Sequence, residues 1–224
     1  MHVRWCLGRL FRALLSAVIL TSLLGCLRPA GEELTELSYQ APVKLTIKPG
    51  EDIPGTGIRY VGVSGDESAE MLINGQQALK RKGDSVDWQG SPVSGVEVDL
   101  SLRVVWFDSE TLHIAGTSKI KIDAPKVEAV NVPSSALMTY HAPVVYGMTP
   151  EALIPGSLYS YVGPADEGAE LSGIEGYPYR KSGDSIVWNG KLRDGVYLKL
   201  NVRVVQYDDK GLRVAGIATL LIGQ

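Results

Sequence analysis

The chain has 224 residues, of which 45% are hydrophobic and 25 are glycine, and this is the composition of a folded globular protein rather than a disordered stalk. Its 22 Lys and Arg residues are outnumbered by 25 Asp and Glu residues, so the formal net charge is −3 at pH 7. This acidic balance disfavours nucleic acid and an anionic membrane face as ligands.

The first 25 residues are predicted to be an export signal. Arg4, Arg9 and Arg12 precede an apolar run at 13–25, and no acidic residue occurs before Glu32. The run is shorter than the roughly 20 apolar residues that a membrane-spanning helix needs. An uncleaved anchor helix is therefore the less favoured alternative.

The apolar run ends in Leu23-Leu24-Gly25-Cys26, which resembles the lipobox of bacterial lipoproteins. The resemblance implies cleavage before Cys26, a diacylglyceryl thioether on that cysteine, and acylation of the new N-terminus by a chain such as palmitate. More than one acyl chain gives stable attachment, because each buried methylene contributes about 0.8 kcal/mol. Leu27 follows the cysteine, and by the same resemblance this implies the outer membrane of a two-membrane bacterium, or otherwise the outer face of the plasma membrane.

Removal of the signal changes the cysteine count and the charge. Cys6 is lost and Cys26 remains as the single cysteine, so no internal disulfide is expected and stability must come from packed cores. The remaining 19 basic residues face 25 acidic ones, a net charge of −6. Residues 26–36, with Pro29 and three glutamates, are predicted to form a tether to the membrane.

The rest of the chain is a duplication. Residues 83–122 and 183–222 are identical at 16 of 40 positions, and the turn that opens with Gly83-Asp84-Ser85 returns at 183–185. We therefore predict one β-domain at 37–123, here the first copy, and another at 138–224, the second copy. A linker at 124–137 joins them.

Both copies show the period-two alternation of strands with one buried face. The clearest strands are predicted at 96–106 and 112–122 in the first copy and at 196–204 and 212–222 in the second. Shorter strands are predicted at 43–48, 58–62, 69–74 and 85–88, at 144–148, 159–163, 170–174 and 185–188, and in the linker at 126–132. Glu32–Tyr39 is the one segment compatible with a short helix.

Six or so strands in about 85 residues, joined by Gly- and Pro-rich turns, predict an all-β fold with two tandem antiparallel β-sandwiches. An immunoglobulin-like sandwich is preferred and an SH3-like barrel is the second choice. Trp88 and Trp188 resemble the core tryptophan of many sandwiches, although the cysteine pair of antibody domains is absent.

No catalytic constellation is expected in this sequence. The Gly-Asp-Ser turn is interpreted as structural, since Gly83 suits a positive φ and Asp84 suits a turn. A nucleophilic serine needs a base, and the histidines after the signal, His113 and His141, do not fit that role. The sequence offers no usual zinc ligand set and no phosphate-binding loop, so we predict no enzyme activity, no metal and no cofactor.

The copies differ in one loop that is a candidate binding site. Tyr177 and Tyr179 flank a proline in the second copy and form an aromatic pair suited to stacking on a sugar ring or a peptide. Tyr197 and Tyr207, expected to point outward on the neighbouring strand, would extend this surface. The alternative is that these rings cover the seam between the copies, as the outward Ile217 and Leu221 are expected to do.

The sequence thus predicts a lipid-anchored envelope protein, attached to the membrane through Cys26, that binds a protein or glycan at the cell surface. The alternative is a structural or assembly subunit of an envelope complex without a small-molecule site.

Overall fold

The computed structural model describes residues 35–65 and 67–223, and within them all regular structure is β. The strands of the first copy are β1 Glu36–Ile47, β2 Ile58–Val63, β3 Ala69–Ile73, β4 Gln76–Lys80, β5 Ser85–Val93, β6 Val96–Phe107 and β7 Leu112–Asp123. The linker contains β8 Glu128–Ala129. The strands of the second copy are β9 Met138–Met148, β10 Ser160–Ala165, β11 Gly168–Ser172, β12 Tyr179–Arg180, β13 Ser185–Arg193, β14 Val196–Asp208 and β15 Gly211–Ile222.

The second half repeats the strand order of the first. In the first copy, an antiparallel sheet β1-β7-β6-β5 accompanies a sheet β2-β3-β4. In the second copy, the corresponding sheets are β9-β15-β14-β13 and β10-β11-β12, and β8 is added at the outer edge of β13. The all-β, antiparallel fold class predicted from the alternation is confirmed.

The sheet order differs from that of immunoglobulin constant domains, and the broader immunoglobulin-like type stays a prediction. In immunoglobulin constant domains, the first strand pairs with the second, whereas here β1 pairs with β7 and β9 pairs with β15. The described sheets are also open, with two ends each, and not the closed barrel of the second choice. Hydrophobic alternation identifies strands but carries no information about which strand is the neighbour of which.

Three local predictions were incomplete or wrong. Glu36–Tyr39, considered compatible with a helix, is the start of β1, where Leu37 and Tyr39 are buried and their neighbours exposed. The strands β4 and β12 were not predicted at all. Both are short and largely exposed or half-buried, so neither has an alternating apolar face.

The two sheets of each copy pack over a common core. Tyr60 and Met71 of the small sheet and Leu102 and Ile114 of the large sheet are fully buried in it. The Tyr60 hydroxyl donates a 2.8 Å hydrogen bond to the carbonyl of Asp108, at the turn between β6 and β7. The second copy has the same hydrogen bond, from the Tyr161 hydroxyl to the carbonyl of Asp208 at 2.7 Å. These bonds fasten the small sheet to the end of the large one in each copy.

The Gly-Asp-Ser turn is held in both copies by hydrogen bonds between side chains and the backbone. Gly83 has a φ of 92°, which favours glycine. Asp84 accepts the N–H of Arg81 at 2.8 Å, and the Arg103 guanidinium donates to the Gly83 carbonyl at 2.9 Å. The second copy repeats all three features at 183, 184 and 203. The turn therefore fixes the approach of β5 or β13 to the neighbouring long strand.

The two copies pack on each other through reciprocal contacts. β1 and β9 lie side by side. A β-carbon on Gly55 would lie 2.5 Å from the sulfur of Met138, and one on the equivalent Gly156 would lie 3.0 Å from the Tyr39 hydroxyl. Arg193 of the second copy also donates to the Gly95 carbonyl of the first at 2.9 Å. Equivalent loops thus face the opposite copy's first strand, and the buried residues of both copies form one continuous core.

The Tyr39 hydroxyl is the one buried polar side-chain atom of the described residues that lacks a hydrogen-bond partner. Burial raises its pKa well above the usual value, and the neighbouring Tyr146 adds to the rise. Burial also raises the pKa of Tyr146 to about 12. Both phenols stay neutral at physiological pH, and this seam therefore contains no charge from them.

Candidate binding cleft at the edge of β13

The outer edge of β13 is only partly occupied by another strand. β8 pairs with Gly190 and Lys191, and within the described residues no strand pairs with the outer edge of Ser185–Asn189. The Asp184 carbonyl accepts the N–H of Val204 on β14 at 3.0 Å, so even-numbered residues of β13 bond to β14. Odd-numbered residues alternate with them and direct their N–H and C=O groups to the outer edge. Val187 and Asn189 therefore present backbone donors and acceptors there.

An open cleft of about 820 Å³ runs along this edge, and we refer to it as the β13 cleft. Four segments that are separate in the sequence form its walls. They are Ala129–Asn131 of the linker, Leu158 and Tyr159 before β10, Gly173–Glu175 with Arg180, and Ser185 with Val187–Asn189 of β13.

One wall of the cleft exists because Gly190 has no side chain. A β-carbon at Gly190 would overlap the carbonyl oxygen of Glu128 and the ring of Trp188. The approach of the linker is then fixed by a 2.7 Å hydrogen bond from the Lys126 N–H to the Leu192 carbonyl and by an ion pair from Lys191 to Glu128 at 3.2 Å. The hydrogen bond to Glu128 raises the pKa of Lys191, with a smaller contribution from Asp194.

The lining of the cleft is more polar than apolar, and its apolar part is supported by core residues. Trp188 is only 3% exposed, and Tyr159 and Ile174 pack against the same core. Val187 is 53% exposed, and Leu158 also projects into solvent. Arg180, Glu175, Ser185 and Asn189 supply hydrogen-bonding groups around this surface. Binding sites combine apolar contacts with polar groups that fix the orientation of a ligand, and this cleft offers both.

The predicted tyrosine pair lies beside the cleft and is fixed by Arg180. The Arg180 guanidinium donates through Nη1 to the carbonyls of Tyr177 at 2.7 Å and Tyr179 at 2.8 Å. The two rings meet edge to face, with centroids 5.4 Å apart, and Tyr177 is 62% exposed. Tyr179 lies opposite Glu170 on β11, and this carboxylate raises the pKa of the Tyr179 phenol. Arg180 therefore fixes the backbone of this loop, and the two rings form an accessible aromatic surface.

Tyr197 and Tyr207 do not join that surface. They are ten residues apart on β14, which corresponds to about 33 Å along a strand. Tyr197 lies between Lys191 and Leu221 at the far end of the sheet. Tyr207 is half-buried against the core, because a bulge between Val204 and Gln206 reverses the alternation beyond it. The structure brings together two of the four predicted tyrosines.

The two apolar residues expected to be covered on β15 have different environments. Leu221 is 4% exposed, while Ile217 is 41% exposed. The two histidines bond to threonines: His113 to Thr46 and Thr111, and His141 to Thr219. Across residues 35–65 and 67–223, no cluster of three or more His, Cys, Asp or Glu side chains could hold a metal ion.

Cys26, the predicted signal and most of the predicted tether lie outside the described residues. Within the part of the chain that the structure describes, no helix is long and apolar enough to span a membrane. Comparison with protein-family models, with curated proteins and with solved structures found no match.

Proposed function

We propose that this chain is a lipid-anchored protein of the bacterial cell envelope whose second copy binds a protein or glycan at the cell surface. The observation that carries the binding part is the β13 cleft with the exposed, Arg180-fixed tyrosine pair beside it. Its walls supply aromatic stacking, apolar contact and hydrogen bonding, which suit recognition rather than bond cleavage. The anchoring part is supported by Leu23-Leu24-Gly25-Cys26 at the end of the apolar run.

Loss of Tyr177 and Tyr179 is expected to weaken ligand binding at least tenfold. Aromatic anchors of a binding surface commonly contribute 2 kcal/mol or more, and tenfold corresponds to about 1.4 kcal/mol. The measurement is retention of envelope glycans and envelope proteins by full-length protein in detergent, with and without Tyr177→Ala and Tyr179→Ala together. Trp106→Ala, which removes an exposed aromatic side chain of the first copy, serves as the control. Equal retention by the double variant and the wild type would contradict the proposal.

Cys26→Ala is expected to abolish acylation and release the protein from the membrane. Without the thiol there is no atom to carry the diacylglyceryl group, and without acyl chains the stable attachment to the membrane is lost. The measurement is metabolic labelling with a palmitate analogue, followed by fractionation of membranes and soluble proteins. Cys6→Ala, in the predicted signal, should label like the wild type. Labelling that persists in Cys26→Ala would remove the anchoring part of the proposal.

A second candidate, an assembly subunit, is favoured by one specific observation. The outer face of the large sheet of the second copy exposes Val145 by 59% and Ile217 by 41%. The equivalent positions of the first copy are Lys44 and Thr117. Exposed aliphatic side chains on one sheet face are a feature of protein–protein contacts. Self-association that is lost in Ile217→Lys, together with no retained ligand, would favour this candidate.

A further inference from the structure

We infer that the ligand of the β13 cleft is an extended peptide segment of a partner protein, which adds to the outer edge of β13 as a new antiparallel strand. This inference rests on the proposed function of the cleft as a binding site. It deepens the proposal by naming the ligand class and the atoms that recognise it, namely the backbone N–H and C=O groups of Val187 and Asn189.

The free backbone groups of this edge favour a peptide as the ligand. The outer edge of Ser185–Asn189 is five residues long, or about 17 Å of strand. It opens directly into the cleft, and four of these residues are among the cleft walls. A strand added to such an edge gains main-chain hydrogen bonds along its whole length, and neighbouring pockets select its side chains. A glycan would leave this regular row of donors and acceptors largely unmatched.

The molecule already pairs one strand with this edge. β8 pairs antiparallel with β13, with Glu128 opposite Lys191 and Ala129 opposite Gly190. The linker then leaves the edge, and Val130 and Asn131 line the opposite wall of the cleft. A peptide in the cleft would thus continue the line of β8 toward Ser185. The added strand would extend an interface that is already present.

The corresponding edge of the first copy has a different sequence. β5 carries Asp87 where β13 carries Val187, and it carries Pro92, which has no N–H, where β13 carries Leu192. Charged residues and prolines on an edge strand discourage the addition of further strands. At these two positions β13 has neither a charged residue nor a proline, and its Val187 is an exposed aliphatic side chain. Along the free edge at 185–189, the second copy therefore lacks the charged residue that the first copy carries, while its charged Lys191 and Arg193 lie beyond this stretch.

The walls also indicate which peptide would fit. Side chains of an added strand alternate between its two faces. Those on the inner face would lie beside Tyr159, Ile174 and Trp188, so apolar residues are expected at every second position. Those on the outer face would lie beside Val187 and Asn189, where polar or β-branched residues are expected. Arg180 offers a cation for an acidic side chain of the peptide.

The test is selection of a phage-displayed hexapeptide library on full-length protein held in detergent. Peptides with apolar residues at alternate positions are expected to be enriched. Their binding should fall at least tenfold in Val187→Pro, which removes one outer N–H, and should be retained in Val187→Thr, which keeps it. Proline is compatible with this position because the lost N–H faces away from β14, and Ile186 already has the extended conformation preferred before proline.

A second measurement uses only the wild-type protein and so does not depend on the folding of a variant. Each backbone nitrogen of the best synthetic hexapeptide is methylated in turn. Methylation should weaken binding at least tenfold at every second position, where the N–H faces β13, and should have little effect at the positions between. Absence of enriched peptides, or enriched peptides without this alternation and insensitive to Val187→Pro, would overturn the inference. Tyrosine-dependent retention of a glycan in that case would leave the proposed binding function standing.

Discussion

Alanine at Gly216 is expected to lower the free energy of unfolding by about 3 kcal/mol, and alanine at Gly116 by a similar amount. Gly216 lies in the middle of β15, paired with Val202 on one side and Val144 on the other. A β-carbon there would overlap the backbone carbonyl of Asn201, and one at Gly116 would overlap the carbonyl of Ser101. Neighbouring strands hold both sides of the glycine, so the backbone has no direction in which to move.

The measurement is urea unfolding of each variant beside the wild type, followed by the β-sheet circular dichroism signal. Gly163→Ala is the matched control, because a β-carbon at Gly163 meets no atom within 4 Å. Its unfolding free energy should stay close to that of the wild type. Unfolding of Gly216→Ala at the wild-type urea concentration would mean that β14 and β15 do not approach as closely as described.

This clash also explains why the glycine recurs in both halves of the sequence. Gly116 and Gly216 lie within long alternating strands, where glycine ordinarily weakens pairing. The duplication showed that the residue repeats, but not why. The reason is the approach of a neighbouring strand's backbone, a tertiary feature that no local pattern encodes.

The long strands were predictable because each has one buried and one exposed face. In β6, every second residue from Val96 to Val104 is buried, as the alternation predicts. The strand order was not predictable, because β1 and β7 are far apart in the sequence and hydrophobic alternation does not say which strands pair. β1 itself extends further than expected, since Pro42 is accommodated in a strand at the sheet edge.

The candidate site was predictable only in part. Comparison of the copies identified Tyr177 and Tyr179, because their loop is not required by the shared fold. The cleft beside them was missed, since its walls come from four separate segments that only the folded chain brings together. The orientation of Tyr207 was also missed, because a bulge before it reverses the inward and outward faces. The one sequence signal for the cleft was Val187 in place of Asp87.

Trp188→Ala is expected to destabilise the protein by about 3–5 kcal/mol, the usual cost of removing a buried tryptophan. Trp188 is 3% exposed, and its ring lies against Gly190, where β8 closes over the edge of β13. Trp88→Ala is expected to cost clearly less. The ring of Trp88 lies against Gly90 in the same way. Trp88 is only partly buried, however, and packs at the margin of the core.

The two variants form a matched pair, since the same substitution is made at the same position of each copy. Urea unfolding of both, with the wild type as reference, gives the difference directly. A cost for Trp88→Ala as large as that for Trp188→Ala would show that β8 adds nothing to the burial of the ring. The expected inequality instead means that the closer packing around Trp188, to which β8 contributes, stabilises the second copy.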